Sequence, residues 1–354
     1  MIGRFTLDVA STFLLGKEMD SLSLPLPYPT SGYSKSSPVV NPNAHTAESF
    51  IHSFSLAQKI SSARQLSGNA WPLLEMWDDK LKPHMDVINN FVEPVIQSAM
   101  ERKKAGVQKG EEESLTLLDE LVRQSDDQTL IRDETINILV AGKDTTSATL
   151  SFAVYMLSEH PQFLAKLRQE VLDTVGPDRT PTYDDVKDMK FLRAVINESL
   201  RLYPPVPFDS RQAIKETTFA PLTPGGKPLF IPAGATVMYS VFYMHRRKDL
   251  WGPDALEFDP DRFVDSRVQK YLVPNPYIFL PFNAGPRICL GQQASIQYPL
   301  PLFIGTNRSV TTYPPEGWKL KEGRQGKEKL MTDAHLTLFI KDAMFVQMTE
   351  ARES

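Results

Sequence analysis

Phe282-Asn-Ala-Gly285-Pro-Arg287-Ile-Cys289-Leu-Gly291 is the stretch that decides how this chain reads. It fits the pattern F-x-x-G-x-R-x-C-x-G, and five such matches in one window arise by chance in about one chain in ten thousand or fewer at ordinary residue frequencies. The spacing suits a thiolate ligand. A rigid loop aims the sulfur at a metal, and backbone N–H groups hydrogen-bond to it and tune its potential. Gly285 and Gly291 permit tight turns and close approach of the backbone to a flat macrocycle. Arg287 is placed to reach a carboxylate of such a cofactor, and Phe282 to shield the sulfur from water. A metal-bound thiol is held deprotonated.

Working outward, Cys289 is the single cysteine of 354 residues. No intramolecular disulfide is possible, a reducing compartment fits, and a cysteine-based zinc site is excluded. The six histidines show no ligand spacing and read as structural or surface residues. With 41% apolar and 10% aromatic residues the chain has enough material for a substantial core. A net charge of −4 gives no electrostatic footprint for nucleic acid. No run of eighteen apolar residues occurs, so no membrane span is expected, and the first twenty residues lack the basic start and cleavage site of a signal peptide.

Residues 1–19 read as a short helix, and the Ser- and Pro-rich stretch Asp20–Asn43 as an irregular loop. Helical periodicity covers 46–66 and 71–104, and the stretch Ala105–Ser114 reads as a solvated linker. From Thr129 to His160 no proline intervenes. That predicts a helix of roughly thirty residues against an average of about a dozen. Pro161 suits the first turn of the next helix, with Phe163, Leu167 and Val171 on one face, and a third helix spans Met189–Leu202 before Pro204-Pro205. Short β-rich pieces follow at Thr217–Phe219, Leu229–Ile231 and Thr236–Met244, with little regular structure from Trp251 to Phe282. The fold class is mainly α with a small β component. The domain division expected is a single partial domain with three segments at 1–128, 129–203 and 204–354.

Further motifs fall in order along this frame. Glu198-Ser-Leu-Arg201 is an E-x-x-R pair, by itself an ordinary surface ion pair at i,i+3. Ala141-Gly142-Lys143-Asp144-Thr145-Thr146 lies inside the long helix, where a glycine costs about 1 kcal/mol relative to alanine and so has a reason to be there. With the cysteine loop, these motifs resemble those of the cytochrome P450 family. The resemblance implies that family's fold without its N-terminal third. It implies haem b on Cys289, with Arg287 and Arg211 toward its propionates and Phe282, Gly285 and Gly291 shaping the loop. Asp144 and Thr145 would deliver protons to bound oxygen, from a helix that opens at this point. Glu198, Arg201 and Arg262 would form a buried network that fixes the haem loop. Leu139, Ala141, Val206 and Phe208 would line the substrate pocket.

Residues 5–29 and the tail from Pro314 are similar in texture to fungal alkane and fatty-acid hydroxylases. This implies oxygen insertion into a lipophilic chain, with NADPH electrons arriving through a reductase at the endoplasmic reticulum membrane, on its cytosolic face. The family's membrane anchor has no counterpart in this chain, so membrane association is expected of a full-length member. The pattern breaks after Gln292-Gln293, where Pro299 and Pro301 enter what is a helix in the family. Each proline costs about 3 kcal/mol or more in a helix interior. The explanation we prefer is a mis-joined gene model or skipped exon, a hypothesis that transcript sequencing tests. Two competing readings are a non-catalytic fragment that keeps the motifs without holding haem, and reductase-independent rearrangement of an oxidised lipid. Intact Asp144 and Thr145 argue against the latter.

Overall fold

The computed structural model describes residues 1–24, 47–105, 116–177, 179–221, 223–292, 308–312, 330, 332–341, 344 and 346–350. Most of the Ser/Pro-rich loop, the expected linker, the Pro299–Pro301 break and most of the tail lie outside these residues. Two compact units divide the chain, one of Met1–Glu159 with Arg308–Ser354 and one of His160–Asn307. Their boundary falls inside the middle segment expected from sequence.

The first unit is helical: α1 (Ile2–Leu15), α2 (Ala47–Ser67), α3 (Trp71–Leu74), α4 (Lys82–Lys104), α5 (Leu117–Gln124) and α6 (Gln128–Glu159). α1 ends at Gly16, whose φ of 64° is the left-handed cap a glycine adopts without strain. Inside α1 a buried Asp8 accepts the N–H groups of Ser21 and Leu22 at 2.9 and 3.0 Å, which folds the chain back over the helix. The helix expected over 71–104 divides in two. α3 ends at Leu74 and α4 begins at Lys82, with Pro83 in its first turn, where a proline fits. Asp79 accepts the N–H groups of Leu81 and Lys82 there, while Pro94 lies inside α4. Phe50, Phe54, Ile88, Val92, Ile96 and Ile131 form the core of this unit. Two short antiparallel ladders complete it: β5 (Arg308–Thr312) with β8 (Val346–Glu350), and β6 (Thr332–Ala334) with β7 (Leu338–Ile340).

The second unit opens with α7 (Pro161–Thr174), α8 (Tyr183–Asp188) and α9 (Lys190–Leu202). The Glu170 carboxylate of α7 accepts the first N–H groups of α9, from Phe191 and Leu192, both at 2.8 Å. After Pro204-Pro205 come two antiparallel pairs, β1 (Phe208–Gln212) with β4 (Thr236–Ser240) and β2 (Thr217–Phe219) with β3 (Leu229–Ile231). β1 escaped the sequence reading, because FDSRQ has no apolar alternation. The expected strand 236–244 stops at Ser240, whose hydroxyl accepts the Tyr243 N–H and starts the turn α10 (Val241–Met244). α11 (Lys248–Trp251) follows, and beyond it only single turns occur up to the cysteine loop. The result is a mainly α chain with small sheets.

Candidate functional site

α9 carries Glu198 and Arg201 one turn apart, and both side chains are wholly buried. Arg201 uses all five of its donors. Nε and Nη2 reach the two Glu198 oxygens at 2.6 and 2.7 Å. Nη1 reaches His245 O and Ala255 O, and Nη2 also reaches Glu257 O. Glu198 accepts the Asp259 N–H at 2.9 Å in addition. Arg262 joins the pair with Nε 3.6 Å from Glu198, while its Nη groups bind Trp251 O and Asp254. Burial opposes ionisation of Asp254, but the bond and charge of Arg262 prevail and hold its carboxyl below the usual range. A surface pair would contribute a few tenths of a kcal/mol; a buried pair stripped of one partner loses about 3–5 kcal/mol, so this pair frames the unit.

His245 carries that frame to the loop. It is fully buried; Nδ1 lies 3.2 Å from Arg201 O, and Nε2 accepts the Leu280 N–H at 2.9 Å. Since Nε2 accepts, the proton sits on Nδ1 and is donated to Arg201 O. Burial, and next the Arg201 charge, push its pKa down to about 3, so it is neutral at physiological pH. Spacing read it only as structural or surface; its role follows from its two long-range partners.

From Leu280 the chain turns through Asn283 (φ 63°) and Gly285 (φ 74°), both left-handed. A Cβ at Gly285 would meet nothing, so the glycine serves the backbone angle rather than a close contact. The Cys289 N–H donates to Phe282 O at 2.9 Å and closes the loop. Phe282 is half-buried, while Cys289 is exposed together with its apolar neighbours Ile288 and Leu290, the latter 89% exposed. Arg287 is exposed and has no ion pair among the described residues. A second tether ties the loop to the sheet. The Tyr239 hydroxyl lies 3.1 Å from both Asp209 Oδ2 and Asn283 Oδ1, and Asn283 Nδ2 donates to Asp209. Burial, with the Asp209 carboxylate acting in the same direction, raises the Tyr239 pKa and keeps that hydroxyl a donor. Asp209, Tyr239 and Asn283 were missed by motif reading; the D-x-R alternation on β1, which puts Asp209 and Arg211 on one face, was the available signal. Arg211 Nη1 is 2.9 Å from Asp209, and the side chain remains 44% exposed. Val206 and Phe208 are exposed as well.

The first unit holds the other motif. α6 runs unbroken through Ala141–Thr146, so the helix opening expected there is absent. The Thr145 hydroxyl donates to Ala141 O at 2.6 Å, and Asp144 Oδ1 lies 2.6 Å from Lys143 Nζ. Leu139 belongs to the apolar core rather than to a pocket: with Ile131 and Thr135 it forms the buried i, i+4, i+8 stripe of α6. Ala141 is exposed. A Cβ on Gly142 would lie 4.0 Å from Ala10 Cβ, an ordinary contact, so packing on α1 does not require the glycine.

Residues 1–297 match the family described as cytochrome P450. The chain belongs to the cytochrome P450 family. Cytochrome P450 52E1 of Candida apicola is 38% identical over 297 residues, 82% of this chain and 54% of its own length. A cytochrome P450 of Arthroderma benhamiae is 40% identical over 256 residues, 70% of this chain and 50% of its own. Cytochrome P450 monooxygenase himC of Aspergillus japonicus is 35% identical over 325 residues, 89% and 54% respectively. This P450 chain thus spans about half the length of the curated relatives it matches. Its family match ends at residue 297, within the break that the prolines mark after Gln293.

Membership of the P450 family implies a haem iron, and the loop's chemistry fits one. An exposed soft thiol between exposed aliphatic side chains, beside an arginine with no ion pair among the described residues, suits an apolar iron macrocycle with carboxylates at its rim. Arg211 fits less directly, because a propionate there would have to share it with Asp209. No helix among the described residues is long and apolar enough to cross a membrane.

Proposed function

We propose that this chain is the haem-thiolate portion of a monooxygenase that inserts one atom of dioxygen into a long aliphatic substrate, an alkane or fatty acid. The observation that carries this reading is the exposed Cys289 thiol on a loop pinned at Phe282, Leu280 and Asn283. Cys289 would hold the iron, Arg287 and Arg211 the propionates, and Phe282 would keep water from the sulfur. Haem, when bound, supplies oxygen activation and attack on an unactivated C–H bond. Asp144 and Thr145 would move protons toward that site, and Val206, Phe208 and Ala141 would contact the substrate. NADPH electrons would come through a separate reductase, at the endoplasmic reticulum membrane. The substrate class rests on texture shared with fungal alkane and fatty-acid hydroxylases.

The test is the reduced carbon-monoxide difference spectrum of the chain expressed with haem supplementation. A band at the thiolate position, lost in Cys289→Ser, supports the proposal. A second reading, a chain that keeps the motifs without binding haem, is favoured by the family match ending where Pro299 and Pro301 enter. Absence of the band selects it.

A further inference from the structure

Lysine is almost never buried without a partner, and Lys143 is only 6% exposed in the middle of α6. Its partner is its own neighbour in sequence. Residues i and i+1 of a helix point about 100° apart and do not ordinarily face each other. The side chain nevertheless curls back to place Nζ 2.6 Å from Asp144 Oδ1. Phe54 of α2, itself 1% exposed, covers the ammonium with its ring centroid 5.3 Å from Nζ. The other carboxylate oxygen, Asp144 Oδ2, is buried and has no hydrogen-bond partner among the described residues. Nor does the adjacent Thr145 hydroxyl supply one, since its proton goes to Ala141 O. One oxygen of Asp144 is therefore clamped, and the other is buried without a hydrogen bond among the described residues.

We propose that Lys143 is a positioning residue: it fixes the Asp144 carboxylate by Oδ1, with Phe54 holding the clamp shut, and so reserves Oδ2 for proton transfer. This rests on the monooxygenase reading for the purpose of the clamp, but not for its existence. An ammonium at this place restricts the carboxylate to one rotamer. An apolar side chain of similar length would leave both oxygens free to turn away. Arginine keeps the charge and can keep the pair.

Two measurements decide it on the full chain. The first is lysine acetylation followed by mass spectrometry, which needs neither haem nor reductase. Lys143 should react about tenfold or more slowly than Lys82, whose side chain is 69% exposed, because modification must await local opening. That protection should shrink in Asp144→Asn and in Phe54→Ala. Equal reactivity of the two lysines in the unaltered chain overturns the clamp. The second is the partition of NADPH electrons between hydroxylated product and hydrogen peroxide in the haem-loaded chain with reductase. Lys143→Met should divert electrons to peroxide with substrate affinity unchanged, and Lys143→Arg should restore the product share. A merely structural lysine would alter stability without moving that ratio. If the carbon-monoxide band is present and Lys143→Met partitions electrons like the unaltered chain, the positioning role fails while the monooxygenase reading stands. If the band is absent, that reading fails and the labelling result still decides the clamp.

Discussion

Around Arg201, five donors meet five acceptors and the side chain is out of reach of water; around Cys289, thiol, guanidinium and aliphatic side chains are all exposed. Both regions lie in the second unit, and His245 joins them through one hydrogen bond on each side of its ring. The difference separates two tasks. A buried ionic network fixes one arrangement of backbone, because any other leaves a charge unpaired in a medium that does not solvate it. A ligand loop has to present its donors outward, and so contributes little to stability itself. Its geometry is held by tethers to the frame.

The sharpest way to break this comparison is to remove one partner in the frame. Glu198→Ala leaves Arg201 buried without its counter-charge, and urea denaturation should show a loss of about 3–5 kcal/mol, with the thiolate band lost as a consequence. Little effect on stability would mean the pair is not a frame.

Acid tests the link. The folded state holds His245 neutral down to about pH 3, whereas an unfolded chain protonates it below about 6.5. Stability from this residue is therefore fully present above 6.5, falls as pH drops below it, and levels off near 3. The loss is about 1.4 kcal/mol per unit, so roughly 2 kcal/mol at pH 5. His245→Gln should be less stable at pH 7 but lose less between pH 7 and pH 5, as followed by thermal unfolding.

The second tether is weaker. Tyr239→Phe removes one neutral donor to Asp209 and Asn283, so about 0.5–1.5 kcal/mol of stability should go, read in the same denaturation series. The smallest effect belongs to the site itself. Cys289→Ser changes an exposed side chain, and stability should move by less than about 0.5 kcal/mol while the thiolate band disappears entirely. If Cys289→Ser proved as destabilising as Glu198→Ala, loop and frame would not be separate.

Much of the fold was legible along the chain. α6, α7 and α9 lie within a residue or two of their expected bounds, since long amphipathic runs and prolines at 161 and 204 are local signals. The expected helix over 71–104 divides between Leu74 and Lys82, and Pro83, which suits a first turn, was a signal present in the sequence but outweighed by periodicity. The cysteine motif and the E-x-x-R pair were found by spacing, with Arg262 as the third member. What spacing could not deliver was the identity of partners far away in sequence. His245, Asp209, Tyr239 and Asn283 belong to no short pattern; each gains its role from residues 30 to 74 positions distant.

By itself the sequence determined the family, the cysteine motif and the helical frame, because these depend on periodicity, breakers and a dense local motif. Only the tertiary structure decided which charges are buried. It gave the Glu198–Arg201 pair, which spacing alone reads as a surface pair and the family resemblance as a buried one, its sealed set of partners, placed Leu139 in the core, and turned Lys143 back onto Asp144 beneath Phe54. The reason is that burial is a property of the surroundings. A lysine, glutamate or histidine reads the same along the chain whether water or another helix stands beside it, and its energetics and chemistry differ according to which it is.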